Sequence, residues 1–360
     1  MKSIELIYLE VFFLFSKYTM LNVIQAQLDA RKDPDALIRN FMANSYKAKI
    51  LSAEMDDRIV GDDERDAIQK QITRPILREN LDRDWANMMA GKPMGGLKII
   101  DFFSRIERLE TKGKNGINFY DFVKEPKLTP SQQAFMTRLE AEDPTANEVA
   151  RLWQVFKFQH SSIAAFPPSQ MINALEKYKP SVILDPTMGW GGRLLAACAL
   201  GATQYIGVDS NTDLVLPYHN LKTFVESKNG MQTYISLLFR DCLSLDYSTM
   251  KYDCVFTSPP YYTRETYANQ PYLFRTKNDW NEKFYRPLIT RTYDGLQENG
   301  IYALNVNQEI YEFIKTILGE ADDIVPLKKG ETFRNNEYRE FIYIWVKPPA
   351  VEILEISSPV

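Results

Sequence analysis

The sequence predicts an α/β fold: a mostly parallel sheet with helices on both faces, an antiparallel last strand, and a helical region ahead of it. Three observations predict this. After residue 165 the chain alternates short apolar runs with helical stretches, the rhythm of parallel strands joined by crossover helices. Before residue 150 the apolar spacing is helical throughout. Near the C-terminus, the link Lys328–Arg339 between the last two runs is too short for a crossover helix, so the final strand must run antiparallel.

The strand readings are Ser181–Leu184, Gln204–Val208, Thr233–Leu238, Asp253–Phe256, Ile301–Asn305, Ile324–Leu327 and Glu340–Val346. Helices fit Ser169–Lys177, Gly192–Leu200, Thr212–Lys228, Asp279–Leu296 and Gln308–Leu318. In the N-terminal part, 1–150, Asp35–Met55 places Leu37, Ile38, Phe41, Tyr46 and Ile50 near helical spacing. Asp62–Met89 continues with Ile68, Ile72, Leu77, Leu81 and Trp85, broken or started at Pro75. Gly91, Pro93, Gly95 and Gly96 make a loop. Helices are expected at Leu97–Glu110, Pro130–Glu142 and Ala146–Phe158, with a turn at Lys112–Asn118. The second unit is 151–360.

The 360 residues are 45% hydrophobic and 25% charged, which excludes a disordered or collagen-like chain. The net charge of -4 gives no global basic field, so any nucleic-acid contact must use a local patch. Cys198, Cys242 and Cys254 form neither a disulfide framework nor a zinc pattern, and no metal is expected. A reducing, cytoplasmic compartment fits them, or a host-cell cytoplasm for a viral chain. His160 and His219 read as packing or surface residues. Glu5 and Glu10 interrupt the apolar run Ile4–Phe15, which argues against a secretory core or a membrane span. Met20 is an alternative start, leaving residues 1–19 as a peripheral helix or an extension.

Four sites carry chemistry. In ILDPTMGWGGRLLAA, Ile183–Ala197, a strand ends in Asp185-Pro186, a turn carries Gly189, Gly191 and Gly192, and a helix follows. This is the first βα turn of a doubly wound sheet, where nucleotide-like ligands bind. It is neither a P-loop nor a dinucleotide fingerprint, so a ligand with adenosine but no phosphates suits it better. Asp209 ends the second strand about 20 residues on, placed to accept from ribose hydroxyls; a helix N-cap before Thr212 is the alternative. Asp241 follows the third strand, where a carboxylate can accept from an adenine amino group or be a solvated loop acid. The fourth site is YDCVFTSPPYY, Tyr252–Tyr262. Pro259 and Pro260 remove two backbone donors after Ser258. A short polar side chain and a fixed carbonyl can then accept both hydrogens of an exocyclic amino group, drawing the nitrogen toward tetrahedral geometry. Tyr261 is placed to stack on a base.

Residues 165–347 resemble a class I S-adenosylmethionine-dependent methyltransferase of the DNA amino-methylating kind. DPTMGWGG resembles that family's cofactor loop and TSPPYY its catalytic loop, in the serine form usual for N4-cytosine enzymes rather than N6-adenine ones. The resemblance implies a Rossmann-like, seven-stranded, mostly parallel sheet with an antiparallel last strand, and S-adenosyl-L-methionine as cofactor. It implies that Asp185, Pro186, Gly189 and Gly191 face the cofactor, Asp209 its ribose and Asp241 its adenine, while Ser258, Pro259, Pro260 and Tyr261 hold the target amino group. Phe166, in FPPSQMI, lies where the family covers the methionine end. Trp190 and Arg193 depart from the small residue and the Thr or Ser common in that loop, and either alter cofactor contacts or serve a substrate.

No evident recognition domain follows the catalytic core. Recognition of DNA is then expected from the helical N-terminal part, from the Thr263–Tyr285 loop, or from a partner subunit. That loop interleaves Arg264, Arg275 and Lys277 with Tyr267, Tyr272 and Phe274, the mixture that base stacking and phosphate contact need; a packed lid is the alternative. Lys70, Arg74, Arg78 and Arg83 at helical spacing read as a solvated face. Two other functions stay open: an RNA methyltransferase of the guanine-N2 type, and a cofactor-binding, non-catalytic subunit. Self-protection beside a nuclease (restriction-modification), epigenetic marking and viral or phage genome modification are the roles compatible with the DNA reading. No membrane role is expected.

Overall fold

The computed structural model describes residues 67–68, 78–112, 116–159, 163–262, 274–327 and 340–349. The N-terminal helices are α1 (Arg78–Met89), α2 (Leu97–Glu110), α3 (Phe119–Lys124), α4 (Pro130–Glu142) and α5 (Glu148–Gln159). Periodicity located α2 and α4 residue for residue. α3 was not expected: it is one and a half turns long, too short to show a period, and forms because the Asn118 side chain accepts from Asp121 N–H at 3.0 Å. α5 begins at Glu148 rather than Ala146, because Asn147 accepts from Ala150 N–H at 2.8 Å and starts the helix there. The expected helix Asp35–Met55 and the positions Ile72 and Leu77 lie outside the described residues.

The rest of the chain winds a sheet: α6 (Pro168–Leu175), β1 (Val182–Asp185), α7 (Gly192–Ala199), β2 (Gln204–Asp209), α8 (Val215–Glu226), β3 (Tyr234–Phe239), β4 (Tyr252–Thr257), α9 (Lys277–Trp280), a π-type turn over Asn281–Tyr285, α10 (Arg286–Asp294), β5 (Leu296–Val306), α11 (Gln308–Leu318), β6 (Asp323–Pro326) and β7 (Phe341–Val346). The seven strands lie in the order β3-β2-β1-β4-β5-β7-β6. β7 is antiparallel to both β5 and β6, and the other pairings are parallel. The short link before the last strand had required this reversal.

The central strands read as continuous apolar runs because both faces are covered. Ile183, Tyr205, Cys254 and Phe256 face a core shared with α6, α7 and α8, which also takes in Leu81 and Met88 of α1 and Ile99 and Ile100 of α2. Leu184, Val208, Val255 and Leu304 face the other core, with Trp280, Phe284, Tyr285, Leu288 and Ile310. A third cluster, built on Phe119, Phe122, Trp153 and Phe156, joins α3 and α5.

One boundary departs clearly from expectation. The helix read as Asp279–Leu296 ends at Asp294, and β5 begins at Leu296, which pairs with Tyr252, not at Ile301. Between them QENG looks like a polar loop. Asn299 adopts φ 60°, its N–H donates to Lys347 carbonyl at 2.8 Å, and Lys347 N–H returns to Gly300 carbonyl at 2.9 Å. The pairing is made by backbone atoms, so side-chain polarity does not report it.

Candidate active site

The carboxyl ends of β1 to β5 open into one cleft of about 260 Å³. A doubly wound sheet binds ligands at this edge, where the loops diverge at the change of strand order. Pro186, Gly189, Asp209, Asp241, Ser258, Pro260, Tyr261 and Phe166 all line it, so most of the residues singled out in the sequence come together. Asp185, Gly191 and Pro259 do not border it.

Each of these three has a physical reason. Asp185 is fully buried and spends its carboxylate inside the protein. One oxygen accepts from Arg193 Nε at 2.7 Å and Tyr205 hydroxyl at 2.7 Å; the other accepts from Thr257 Oγ1 at 2.9 Å. Burial alone would weaken the charge on Arg193, but the Asp185 carboxylate more than offsets it and holds the guanidinium charged. Arg193 also donates to Thr187 carbonyl. The unusual arginine of the loop is thus the strut of the turn, although its side chain also reaches the cleft wall. Gly191 has φ 97°, and a Cβ there would meet Leu221 at 2.6 Å, so its role is to turn the chain into α7. Pro259 is buried behind the wall. Its carbonyl receives no donor among the described residues.

Gly192 brings the upstream segment over the cleft. A Cβ on it would lie 2.0 Å from Phe166 carbonyl, so only glycine lets residues 164–167 pass this close. The Phe166 ring packs edge-on to Phe256 at 5.8 Å.

Asp209 holds the turn from the other side. Its carboxylate accepts from Gly189 N–H and Asn211 N–H, both at 2.9 Å. The N-cap before Thr212 is Asn211, which accepts from Asp213 N–H at 3.1 Å. Burial pushes the Asp209 carboxyl up to about 6 against the opposing pull of its two backbone donors. Asp241 caps the turn after β3 through Leu243 N–H at 2.9 Å.

The other end of the cleft is built by β4, β5 and the π-type turn. Ser258 Oγ donates to Asn305 Oδ1 at 3.2 Å, and Asn305 Nδ2 donates to Phe341 carbonyl at 3.2 Å. Asn305 was not singled out from the sequence. The signal for it was a lone amide in the apolar run IYALNV at a strand's carboxyl end. Tyr261 hydroxyl donates to Asn305 carbonyl at 3.1 Å, which fixes its ring in the cleft wall. Tyr285 hydroxyl donates to Pro260 carbonyl, and Tyr262 has φ 53°. A π-type turn adds one residue per turn and re-aims the side chains that follow. Here it delivers Phe284 to the cleft and Tyr285 to the SPPY loop. Trp280, which starts the turn, lines the same end, and its buried indole N–H has no partner among the described residues.

Of the basic and aromatic loop, Arg264, Tyr267 and Tyr272 lie outside the described residues. Lys277 pairs with Glu309, and Phe274 packs edge-on to Trp280 at 5.4 Å. Lys70 and Arg74 also lie outside; Arg83 is exposed and donates to Asn80 at 2.7 Å. His160 lies outside as well. The three cysteines are free and buried. Among the described residues no helix is long and apolar enough to cross a membrane.

The strand order, the reversed last strand and the cleft at the carboxyl edge define a Rossmann-like, doubly wound α/β fold. No family model matches the chain, and no curated protein does. Solved structures similar to it include an rRNA methylase from Streptococcus thermophilus (12% identity, 51% of this chain and 98% of that one, TM-score 0.33). Another is the N-methyltransferase NodS from Bradyrhizobium japonicum (11% identity, 51% and 94%, TM-score 0.35). A third is a T. thermophilus 16S rRNA N2 methyltransferase in complex with AdoMet and guanosine (16% identity, 51% and 43%, TM-score 0.33).

Proposed function

We propose that the cleft binds S-adenosyl-L-methionine and that the chain methylates an exocyclic amino group of a DNA base, N4 of cytosine ahead of N6 of adenine. The observation that carries this is the state of Ser258. Its only proton goes to Asn305 Oδ1, so Oγ faces the cleft with acceptor capacity alone. With a main-chain carbonyl of the same loop it can take both hydrogens of an amino group.

The residues present fit the cofactor. The Asp209 carboxylate suits a ribose diol, Asp241 suits an adenine amino group, and Phe166 and Pro186 supply apolar wall. When bound, the cofactor supplies a methyl group on a positively charged sulfur. The protein has to make a planar amine nucleophilic, which is positioning and lone-pair alignment rather than covalent catalysis. Ser258 and the loop carbonyl orient the amine, the Tyr261 ring supports the base, and the surplus proton leaves after methyl transfer. A duplex target base has to flip out to reach Ser258. The serine at the head of the loop supports cytosine over adenine by resemblance.

The test is nucleoside mass spectrometry of DNA and RNA from cells expressing the intact chain or Ser258→Ala. N4-methylcytosine or N6-methyladenine in DNA only with the intact chain is the expected result. N2-methylguanine in RNA instead moves the substrate to RNA. Cofactor binding with no methylated product in either pool leaves a non-catalytic subunit.

Asp209 gives a pH signature. Ionised, it accepts from the ribose; protonated, it loses acceptor capacity. Affinity for the unreactive analogue sinefungin is therefore expected to hold above pH 6 and fall up to about tenfold per unit below it. Asp209→Asn should bind weakly with no such slope. The stability contribution has the opposite sign. The folded-state pKa is raised, so the ionised group opposes folding above pH 6, and this penalty is relieved as pH falls toward the unfolded value. Calorimetric titration between pH 5 and 8 reads the first effect.

A further inference from the structure

We infer that Thr187 and Thr257 form a two-proton relay that couples the cofactor turn to the SPPY loop, with Thr187 as its positioning residue. This rests on the cofactor reading above. Three contacts run in series. Thr257 Oγ1 lies 2.9 Å from Asp185 Oδ1, the two threonine hydroxyls lie 2.6 Å apart, and Thr187 Oγ1 lies 3.2 Å from Ser258 carbonyl. Two hydroxyls carry two protons between them. Two oxygens at 2.6 Å repel unless a proton lies between them, so the middle contact always holds one.

The second proton can serve only one end. In one arrangement Thr187 donates to Thr257 and Thr257 donates to Asp185, leaving Ser258 carbonyl without its donor. In the other, Thr257 donates to Thr187 and Thr187 donates to Ser258 carbonyl, pinning the Ser258–Pro259 peptide plane and with it the direction of the Ser258 side chain. Asp185 still keeps Arg193 and Tyr205 on its second oxygen, so releasing Thr257 does not strand its charge. A cationic ligand on the turn makes Asp185 a weaker acceptor for Thr257 and favours the second arrangement. Filling the cofactor end of the cleft thereby orders the amino-group end. This is a coupling between two sites through discrete states.

The test is hydrogen exchange of the intact chain, with and without saturating sinefungin, which keeps a positive charge in place of the sulfonium. Slower exchange is expected in the turn, residues 187–195, and also at Thr257, Ser258, Tyr261 and Tyr262. In Thr187→Val, which keeps the shape and loses the hydroxyl, the turn should still be protected and the SPPY loop should not. Thr187→Ser should restore it, and in Thr257→Val, where the Thr187 proton is left to Ser258 carbonyl alone, the SPPY loop should exchange equally slowly with and without sinefungin. Protection of both segments in Thr187→Val overturns the relay, as does protection of the turn alone in the intact chain. No protection anywhere overturns the cofactor reading, and the relay with it.

Discussion

Replacing Ser258 with alanine is expected to lower the methylation rate by about 10²- to 10³-fold while leaving sinefungin affinity within about twofold. The loss is one donor–acceptor contact made where the amine changes shape, worth about 3–4 kcal/mol in a site screened from water. Binding is spared because Ser258 sits at the Asn305 end of the cleft, across from Asp209 and Asp241. Asn305 Oδ1 keeps the Tyr261 hydroxyl nearby at 3.4 Å, so the wall does not collapse. Single-turnover kinetics with unmethylated DNA, beside calorimetric binding of sinefungin, separates the two quantities. A Ser258→Ala chain that methylates at the normal rate removes the amino-cradle reading.

The second large effect is on stability. Asp185→Ala leaves the Arg193 guanidinium buried without its carboxylate, a change that costs about 3–5 kcal/mol. It also removes the acceptor for Tyr205 and Thr257. For a domain of this size the midpoint of thermal unfolding should fall by about 10 °C. Replacing both partners with apolar groups, as in Asp185→Leu with Arg193→Met, should recover much of that loss, because no charge is then stranded. Scanning calorimetry of the single and double variants checks both statements. A single variant with an unchanged midpoint would mean that Arg193 finds another partner.

The same pair depends on more than its own stretch of chain. DPTMGWGG identified the turn, but not that Asp185 faces inward and Arg193 answers it. Which way a carboxylate points depends on Tyr205 and Thr257, far along the chain and brought close only by β1–β2 and β1–β4 pairing. Asn305 was missed for a related reason. The lone amide in an apolar strand marks the position, but its partner is set only when β4 and β5 lie side by side and bring it against Ser258. Asp209 was read as a ribose acceptor or a helix cap. The cap went to Asn211, two residues on, while the Asp209 carboxylate accepts from Gly189 and Asn211 N–H.

What the sequence determined by itself was local and periodic. Strand–helix alternation, two-sided apolar strands and a link too short for a crossover specify the sheet and its reversed last strand, because each follows from chain length and burial alone. The glycines and prolines of the two loops did the same, since backbone freedom and rigidity are properties of single residues. Tertiary structure decided everything that depends on two distant segments meeting. It turned Asp185 and Gly191 away from the cleft and placed Pro259 behind its wall. It brought Asn305 to Ser258 and the π-type turn to Pro260, and set Thr187 against Thr257 and Ser258. Side-chain direction and proton placement in a buried network are fixed by packing, and packing is not written in any one stretch of chain.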